Sequence, residues 1–244
     1  MAPMPRSLRY ALIAVAAAVV LFVIGPWVYI NFIRDDAPES FVDEATATTV
    51  TDSDPAAATT IVTTDAAVTA ELDDPSGVWQ VSADSQVGYR VDEVLFGQNV
   101  TAVGRTNAVT GSIEIAGGNV TAAKFEVDMT TVTSDEPKRD AQFASRIMDV
   151  LNFPTASFLL ESPIALPADA TSNSVSHSAS GTLTLRGTSK VVDLTVVSSV
   201  RDGRIVVVGE IPVVFEEWGI PNPSIPGIST EDSGVLEFSL VLER

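Results

Sequence analysis

Apolar and polar residues alternate along much of the chain from Gly77 onward. In KFEVDM, Phe125, Val127 and Met129 alternate with charged residues, and the closing VLEFSLVLE repeats this pattern from Leu236. Strict alternation is typical of a strand with one buried and one exposed face. Turn signals such as AGGN and RDGR separate these segments at hairpin spacing. The pattern predicts many short antiparallel strands, which a sandwich or a barrel would accommodate equally well.

One segment interrupts the alternation with helical spacing. From about Glu136 to Leu151, one face of the predicted helix is apolar. The residues of this face are Phe143, Ile147, Val150 and Leu151, with Met148 beside them. Pro137 suits the first turn of a helix, and Pro154 favours an extended conformation for the residue before it. The segment therefore predicts one short amphipathic helix that caps an end of the β structure.

The chain begins with an apolar run from Tyr10 to Ile33 that follows Arg6 and Arg9 and ends at Arg34. About 20 apolar residues suffice to span a bilayer as a helix. A cleavable signal peptide is the alternative, but its apolar core is usually about 7–15 residues. We therefore predict a cytoplasmic tip and a retained, single-pass transmembrane signal anchor in residues 1–34. The positive-inside tendency then places the rest of the chain outside the cytoplasmic membrane.

Residues 35–76 differ sharply from the segments on either side. They are rich in Ala, Thr and Asp, and they contain eleven acidic residues and no Lys or Arg. Such a composition buries too little apolar surface to offset its ordering entropy. We predict a disordered linker that self-repulsion extends. The folded domain then comprises residues 77–244.

Composition excludes several classes of function. The chain has no cysteine and a single histidine, so disulfides, thiolate metal sites and histidine-rich metal sites are excluded. Its formal net charge is −18, which argues against binding to nucleic acid phosphates. His177 lies in the polar run TSNSVSHSAS and is predicted to be an exposed loop residue. No catalytic residue, metal or cofactor is expected, and the protein is not predicted to be an enzyme.

Several motifs resemble, in order, those of the YceI-like (polyisoprenoid-binding) family. RDAQFASRIMDVLNFPTASF (139–158) is similar to the family's helix with its following Phe-Pro and strand. WQVSADSQVGYRV (79–91) looks like its opening strand, and SGTLTLRGTSKVVDLTV (180–196) looks like its glycine-turn hairpin. VVFEEWGIP (213–221) and the closing VLEFSLVLE resemble its final strands. The resemblance covers essentially all of residues 77–244.

The resemblance implies an elongated, antiparallel, lipocalin-like β-barrel with an apolar lumen that holds a long isoprenoid chain. The lumen residues it suggests are Tyr89, Phe125, Phe143, Ile147, Met148, Phe158, Phe215 and Trp218. Arg139 and Asp140 are predicted to anchor the helix at the barrel rim. This chain departs from the family at Asp84 and Gln142, where histidine is frequent, and this difference concerns contacts with a ligand's head group.

The sequence thus predicts a membrane-anchored binding protein that sequesters or carries a polyisoprenoid or isoprenoid-quinone lipid. A structural barrel filled by its own side chains is the alternative. A third hypothesis, an enzyme or redox partner for a quinone, requires a polar group at the deep end of the lumen. The sequence pattern does not reveal such a group.

Overall fold

The computed structural model describes Tyr10, Ile13, residues 25–28, residues 37–47, Leu72 and residues 74–244. Within these residues the strands are β1 (Gly77–Val81), β2 (Gln86–Leu95), β3 (Gln98–Thr106), β4 (Val109–Ala116), β5 (Asn119–Asp128), β6 (Thr133–Ser134), β7 (Thr155–Leu160), β8 (Ile164–Ala165), β9 (Val175–Leu185), β10 (Thr188–Arg201), β11 (Arg204–Val214), β12 (Ile228–Thr230) and β13 (Ser233–Glu243). The helices are α1 (Gly25–Val28), α2 (Phe41–Ala47) and α3 (Pro137–Gln142), which continues as a π-helical turn, Phe143–Ile147. Two 3₁₀ turns span Met129–Thr131 and Phe215–Trp218.

The long strands form a closed eight-stranded antiparallel barrel. β1 with β2, and β3 with β4, act as two long bent strands because β2 pairs with β3 and β1 pairs with β4. They are followed around the barrel by β5, β7, β9, β10, β11 and β13, each hydrogen-bonded to the strand named after it. β13 then pairs with both β1 and β2, which closes the ring. Closure removes the exposed edges of the sheet, and it decides the choice between sandwich and barrel that the sequence pattern left open.

Tight turns connect several of these strands. Gly117 and Gly118 have φ angles of 57° and 73°, and Asp202 and Gly203 have φ angles of 51° and 74°. Two consecutive residues with positive φ are the mark of the two-residue hairpin turn that matches strand twist. The turns predicted at AGGN and RDGR are therefore confirmed.

The barrel has two distinct ends. We call the end that carries the β2–β3 turn, α3, the β9–β10 turn and residues 215–232 the helix end. The opposite end, called the far end, carries the β4–β5 and β10–β11 turns and residues 161–174. The two names are used in this sense below.

The predicted helix exists but is shorter than its pattern suggested. α3 starts after Glu136, whose side chain accepts a hydrogen bond from Lys138 N, and the π-helical turn ends at Ile147. Asp149 then adopts a φ of 50°, so the chain leaves the helix before the last apolar position of the pattern. Leu151 is consequently 93% exposed, and its assignment to the buried face was wrong.

Only part of the N-terminal region covered by the predictions lies among the described residues. The predicted signal anchor, residues 1–34, lies almost entirely outside the described residues. Among the residues that are described, no helix is long and apolar enough to cross a membrane. Residues 37–47 differ from the disordered linker predicted for residues 35–76, since α2 forms there and packs against β11 and β13. Most of the remaining linker lies outside the described residues.

Candidate functional site

A cavity of about 950 Å³ runs through the interior of the barrel. It is lined at the helix end by Phe96, Phe143 and Ile225, and at the far end by Leu166 and Val200. Inward positions alternate with outward ones along each strand, as expected for a small barrel. The interior is therefore a long apolar space, and it differs from the self-filled core of the structural alternative.

Most of the predicted lumen residues border this cavity. Those that line it are Tyr89, Phe125, Phe143, Ile147, Met148, Phe158 and Phe215. Trp218 is the exception: it is buried, but it is not among the lining residues, and its ring lies 5.6 Å from Lys190 Nζ. Trp218 lies in the 3₁₀ turn at the helix end. Contact of the lining residues with a ligand stays a prediction.

An aromatic pair lines the cavity near the helix end. The rings of Tyr89 and Phe143 are stacked, with centroids 5.1 Å apart and planes 14° from parallel. Tyr89 lies over Gly104, where a Cβ atom would come within 2.4 Å of the Tyr89 ring. Burial raises the pKa of Tyr89 well above its ordinary value, so this hydroxyl stays neutral at physiological pH. The pair joins β2 to the helical segment through an apolar contact inside the lumen.

The start of α3 is fixed to the barrel wall by polar contacts. Asp140 Oδ1 accepts hydrogen bonds from Ser134 N at 2.9 Å and from Ser134 Oγ at 2.6 Å. Arg139 pairs with Asp135 and lies 4.0 Å from Glu93 on β2. Through these contacts the two residues hold the helix to β6 and β2. This is the geometry that a rim-anchoring role requires.

Charged side chains that border the cavity are clustered at the helix end. They are Glu93, Asp135, Glu136, Lys138 and Arg139. Glu237 also borders the cavity through its place on β13, but its carboxylate pairs with Arg90 and Arg105, which are not lining residues. Within the described residues, no group of three acidic or histidine side chains is arranged to hold a metal ion.

The far end contains a polar pair that the sequence analysis missed. His177 lies in β9, is 8% exposed and lines the cavity, so its prediction as an exposed loop residue was wrong. His177 Nε2 lies 2.9 Å from Ser198 Oγ on β10, and Ser198 also lines the cavity. The signal was available in VSHSASGTLTL, where His177, Ala179, Leu183 and Leu185 alternate with serines and threonines. The strand begins five residues earlier than the hairpin motif indicated.

Protonation of His177 is disfavoured in the folded protein. Burial lowers the pKa of His177, and it is the only cause of the shift. The residues that line the same end of the cavity carry no charge: Leu166, Ala168, Thr171, Ser198 and Val200. The unfolded chain therefore takes up this proton at a higher pH than the folded chain does.

This difference predicts a pH-dependent stability. As the pH falls below about 6.5, the unfolded state binds the proton first, and the free energy of unfolding should fall by up to about 1.4 kcal/mol per pH unit. Above that pH the contribution is constant. Urea unfolding of the full chain between about pH 7.5 and pH 5.5 would measure the slope, and His177→Gln should flatten it. Equal slopes for the two proteins would contradict the assignment.

A buried ion pair lies on the outer face of the barrel. Glu237 is 1% exposed, and its Oε1 atom accepts a hydrogen bond from Arg105 Nε at 2.8 Å. Its Oε2 atom lies 3.4 Å from Arg90 Nε. Gly88 stands between Glu237 and Arg105 in the sheet, so the two side chains meet above a residue without one. Three strands thus contribute to one charged cluster.

Residues 38–41 cover this cluster. Arg90 and Arg105 each donate a hydrogen bond of 2.6 Å, to Pro38 O and Glu39 O respectively. The Phe41 ring lies 4.0 Å from the guanidinium carbon of Arg105, a cation–π geometry. The segment that follows the predicted anchor is therefore bound to the barrel wall. We call residues 37–47 the strap.

Comparison with known proteins agrees with this architecture. The solved structure of BcnA from Burkholderia cenocepacia aligns with 66% of this chain and 98% of its own, at 18% identity and a TM-score of 0.52. A polyisoprenoid binding domain from Saccharophagus degradans, implicated in plant cell wall breakdown, aligns with 68% of this chain and 97% of its own, at 15% identity and a TM-score of 0.54. At these identities the likeness shows the fold alone. No curated protein sequence matches the chain.

The match to a sequence family is more direct. The family described as the YceI-like domain matches residues 79–242, which is nearly the whole barrel and more than half of the chain. The matched range begins at Trp79, within β1, and ends at Leu242, within β13. These two strands pair with each other where the ring closes. The chain therefore belongs to the YceI-like domain family.

Proposed function

We propose that this protein is a membrane-anchored, extracytoplasmic binding protein that holds a long apolar lipid of polyisoprenoid or isoprenoid-quinone type in the barrel. The single observation that carries the proposal is the continuous apolar cavity of about 950 Å³. Cavities of roughly 300–1,000 Å³ are typical of small-molecule sites in proteins. Sequestration or transport of the lipid would follow from its enclosure.

The energetics of burial favour an extended apolar ligand. Each buried methylene contributes roughly 0.8 kcal/mol, so a five-carbon isoprene unit contributes on the order of 3 kcal/mol before losses. Affinity then depends on how many units the cavity encloses, and few polar contacts are needed. The concentration of charged side chains at the helix end leaves most of the lumen to the hydrocarbon chain.

Family membership supports the same class of ligand. One structural neighbour is a polyisoprenoid binding domain, and it shares its fold with this chain. The proposal extends that binding activity to this chain on the strength of its own cavity.

The strap supports a position close to the membrane. Only residues 35 and 36 separate the predicted anchor from the strap, and the strap is bound to the barrel wall through Arg90 and Arg105. A chain of three residues spans at most about 10 Å. If residues 10–33 span the membrane, the barrel is therefore held at the membrane surface, where lipid is available for exchange.

Mass spectrometry of the full chain from its native source would test the proposal. We expect solvent extraction to release a long-chain lipid in near-stoichiometric amount, and native spectra to show the corresponding added mass. An extract without lipid, together with a native mass equal to the polypeptide alone, would contradict the binding function. Cell fractionation would test the anchor independently, since removal of residues 1–34 should release the protein from the membrane fraction.

A further inference from the structure

We propose that His177 and Ser198 form a binding site for a single neutral polar group, a hydroxyl or a carbonyl, at the far end of the ligand. The inference rests on the proposed function and deepens it, because it assigns the ligand's orientation and the chemistry of its end. The ligand would be an isoprenoid-type chain whose uncharged end lies at the far end of the barrel.

The first argument is the position of the pair. Both residues line the cavity, on neighbouring strands, and Val196 is the strand partner of His177. His177 lies two residues after the start of β9, and Ser198 lies three residues before the end of β10. Both positions are close to the far end. The pair therefore places polar groups near the end of the lumen opposite the charged rim.

The second argument is an unused hydrogen-bonding atom. The Nε2 atom of His177 is taken by Ser198 Oγ, and in the described part of the chain no residue pairs with Nδ1. The fully buried polar atoms without a partner in that part are Arg186 Nε and Thr230 Oγ1. Since Nδ1 is not one of them, it is not completely enclosed by protein atoms, and His177 borders the cavity. A buried imidazole with one satisfied nitrogen offers the other nitrogen to a ligand.

The third argument concerns charge. Burial alone lowers the pKa of His177, and no charged residue lines this end of the cavity. An imidazole that stays neutral, with no Arg or Lys among the residues that line this end, cannot compensate a diphosphate, whose burial would be costly. The site therefore selects a neutral group. A charged head group would instead lie at the helix end, where Lys138 and Arg139 border the cavity.

The two tautomers of His177 distinguish the two neutral groups. If Nε2–H donates to Ser198 Oγ, then Nδ1 accepts a hydrogen bond from a hydroxyl. If Ser198 donates to Nε2, then Nδ1–H donates to a carbonyl such as that of a quinone. In both cases the ligand forms one hydrogen bond with Nδ1. The tautomer of His177 then shows whether the ligand's group is a hydroxyl or a carbonyl.

Because His177 is the only histidine in the chain, nitrogen NMR of its imidazole can follow the site directly in the full-length protein. Four probes separate the outcomes: geranylgeraniol, a prenyl quinone, the hydrocarbon squalene and geranylgeranyl diphosphate. We expect geranylgeraniol to shift the Nδ1 resonance and squalene to leave it nearly unchanged. A prenyl quinone should shift the Nδ1 resonance in the opposite direction, because its carbonyl favours the tautomer in which Nδ1 carries the proton. An equal shift with squalene, or with the diphosphate, would overturn the assignment.

Affinity measurements supply a second readout. His177→Leu should weaken binding of geranylgeraniol about tenfold, the usual value of one hydrogen bond with its desolvation. The same change should leave squalene binding unchanged or slightly stronger, and His177→Gln should restore part of the loss. Ser178→Ala is the matched control, because Ser178 is exposed on the outer face of the same strand.

The two proposals fail in different ways. If squalene does not bind to the wild-type chain, the lipid-binding function itself is wrong, and this inference falls with it. If squalene binds and His177→Leu weakens both probes equally, the residue only packs, and the polar site is wrong while lipid binding stands. No loss for either probe would also overturn the polar site.

Discussion

Replacing Ala179 with tryptophan should weaken binding of long apolar lipids to the full chain about thirtyfold. Ala179 is buried, lies on β9 between His177 and Leu183, and lines the cavity. An indole at this position would extend into the lumen and displace two or three methylenes of the ligand. That displacement costs about 2 kcal/mol, which corresponds to about thirtyfold in Kd.

Stability should move little in this variant, because the added ring extends into the cavity and not into packed core. Overpacking is destabilising where a core is already full, and the cavity supplies the volume. The measurement is a lipid-binding isotherm with squalene, together with thermal unfolding of the same sample. Ser178→Trp is the matched control, since it places the same ring on the outer face of β9. Unchanged squalene affinity in Ala179→Trp would show that the ligand does not occupy the lumen.

Replacing Glu237 with alanine should lower the free energy of unfolding by about 3 kcal/mol. Removing one partner of a buried ion pair typically costs about 3–5 kcal/mol, because the remaining charge is left uncompensated. Here two guanidinium groups would be left side by side. The lower end of the range applies because the side chains of Arg90 and Arg105 remain 20% and 18% exposed.

The same variant should loosen the strap. Arg90 and Arg105 are held in place by Glu237 and in turn donate to Pro38 O and Glu39 O. Because the chain has no cysteine, a single Glu39→Cys substitution can carry a nitroxide label. We expect the label to be immobilised in the otherwise native chain and mobile in the Glu237→Ala background.

Controls for this prediction come from the same strand. Glu243→Ala removes an exposed glutamate from β13 and should change the free energy of unfolding by less than about 0.5 kcal/mol. Glu237→Gln keeps the shape and part of the hydrogen bonding, so its loss should be intermediate. Urea unfolding provides the free energies. A Glu237→Ala chain as stable as the wild type, with an immobilised label, would rule out this role for the cluster.

The sequence analysis placed some of the residues that line the cavity in the lumen, but it misplaced His177. Tyr89, Phe143 and Met148 were expected in the lumen from the family resemblance, and they line the cavity. His177 was misplaced because the surrounding serines look like a loop, although their spacing is that of a strand. A polar residue at an inward position of a barrel is uncommon, so the alternation was easier to overlook there than in KFEVDM.

The charged cluster on the outer face of the barrel could not be predicted from residues that are neighbours along the chain. Arg90, Arg105 and Glu237 come from three strands, and their contact needs the side-chain-free position of Gly88 between them. Helix α2 was equally hidden. Its seven residues are too few to be stable alone, so packing of the strap against β11 and β13 is what stabilises it. That packing also explains why β11 is apolar on both faces: Val208, which points away from the lumen, is buried.

The sequence by itself determined the strand class, the positions of the hairpin turns, the existence of one short helix near residue 140 and the family. Each of these depends on residues that are neighbours along the chain. Only the tertiary structure decided closure of the barrel, the size of the lumen, the polar pair at the far end and the docking of the strap. These depend on contacts such as that of Ser85 Oγ with Val241 O, 156 residues apart. Alternation states which face of a strand is buried, but the partner strand, and the space left between the walls, are set by how all the strands pack together.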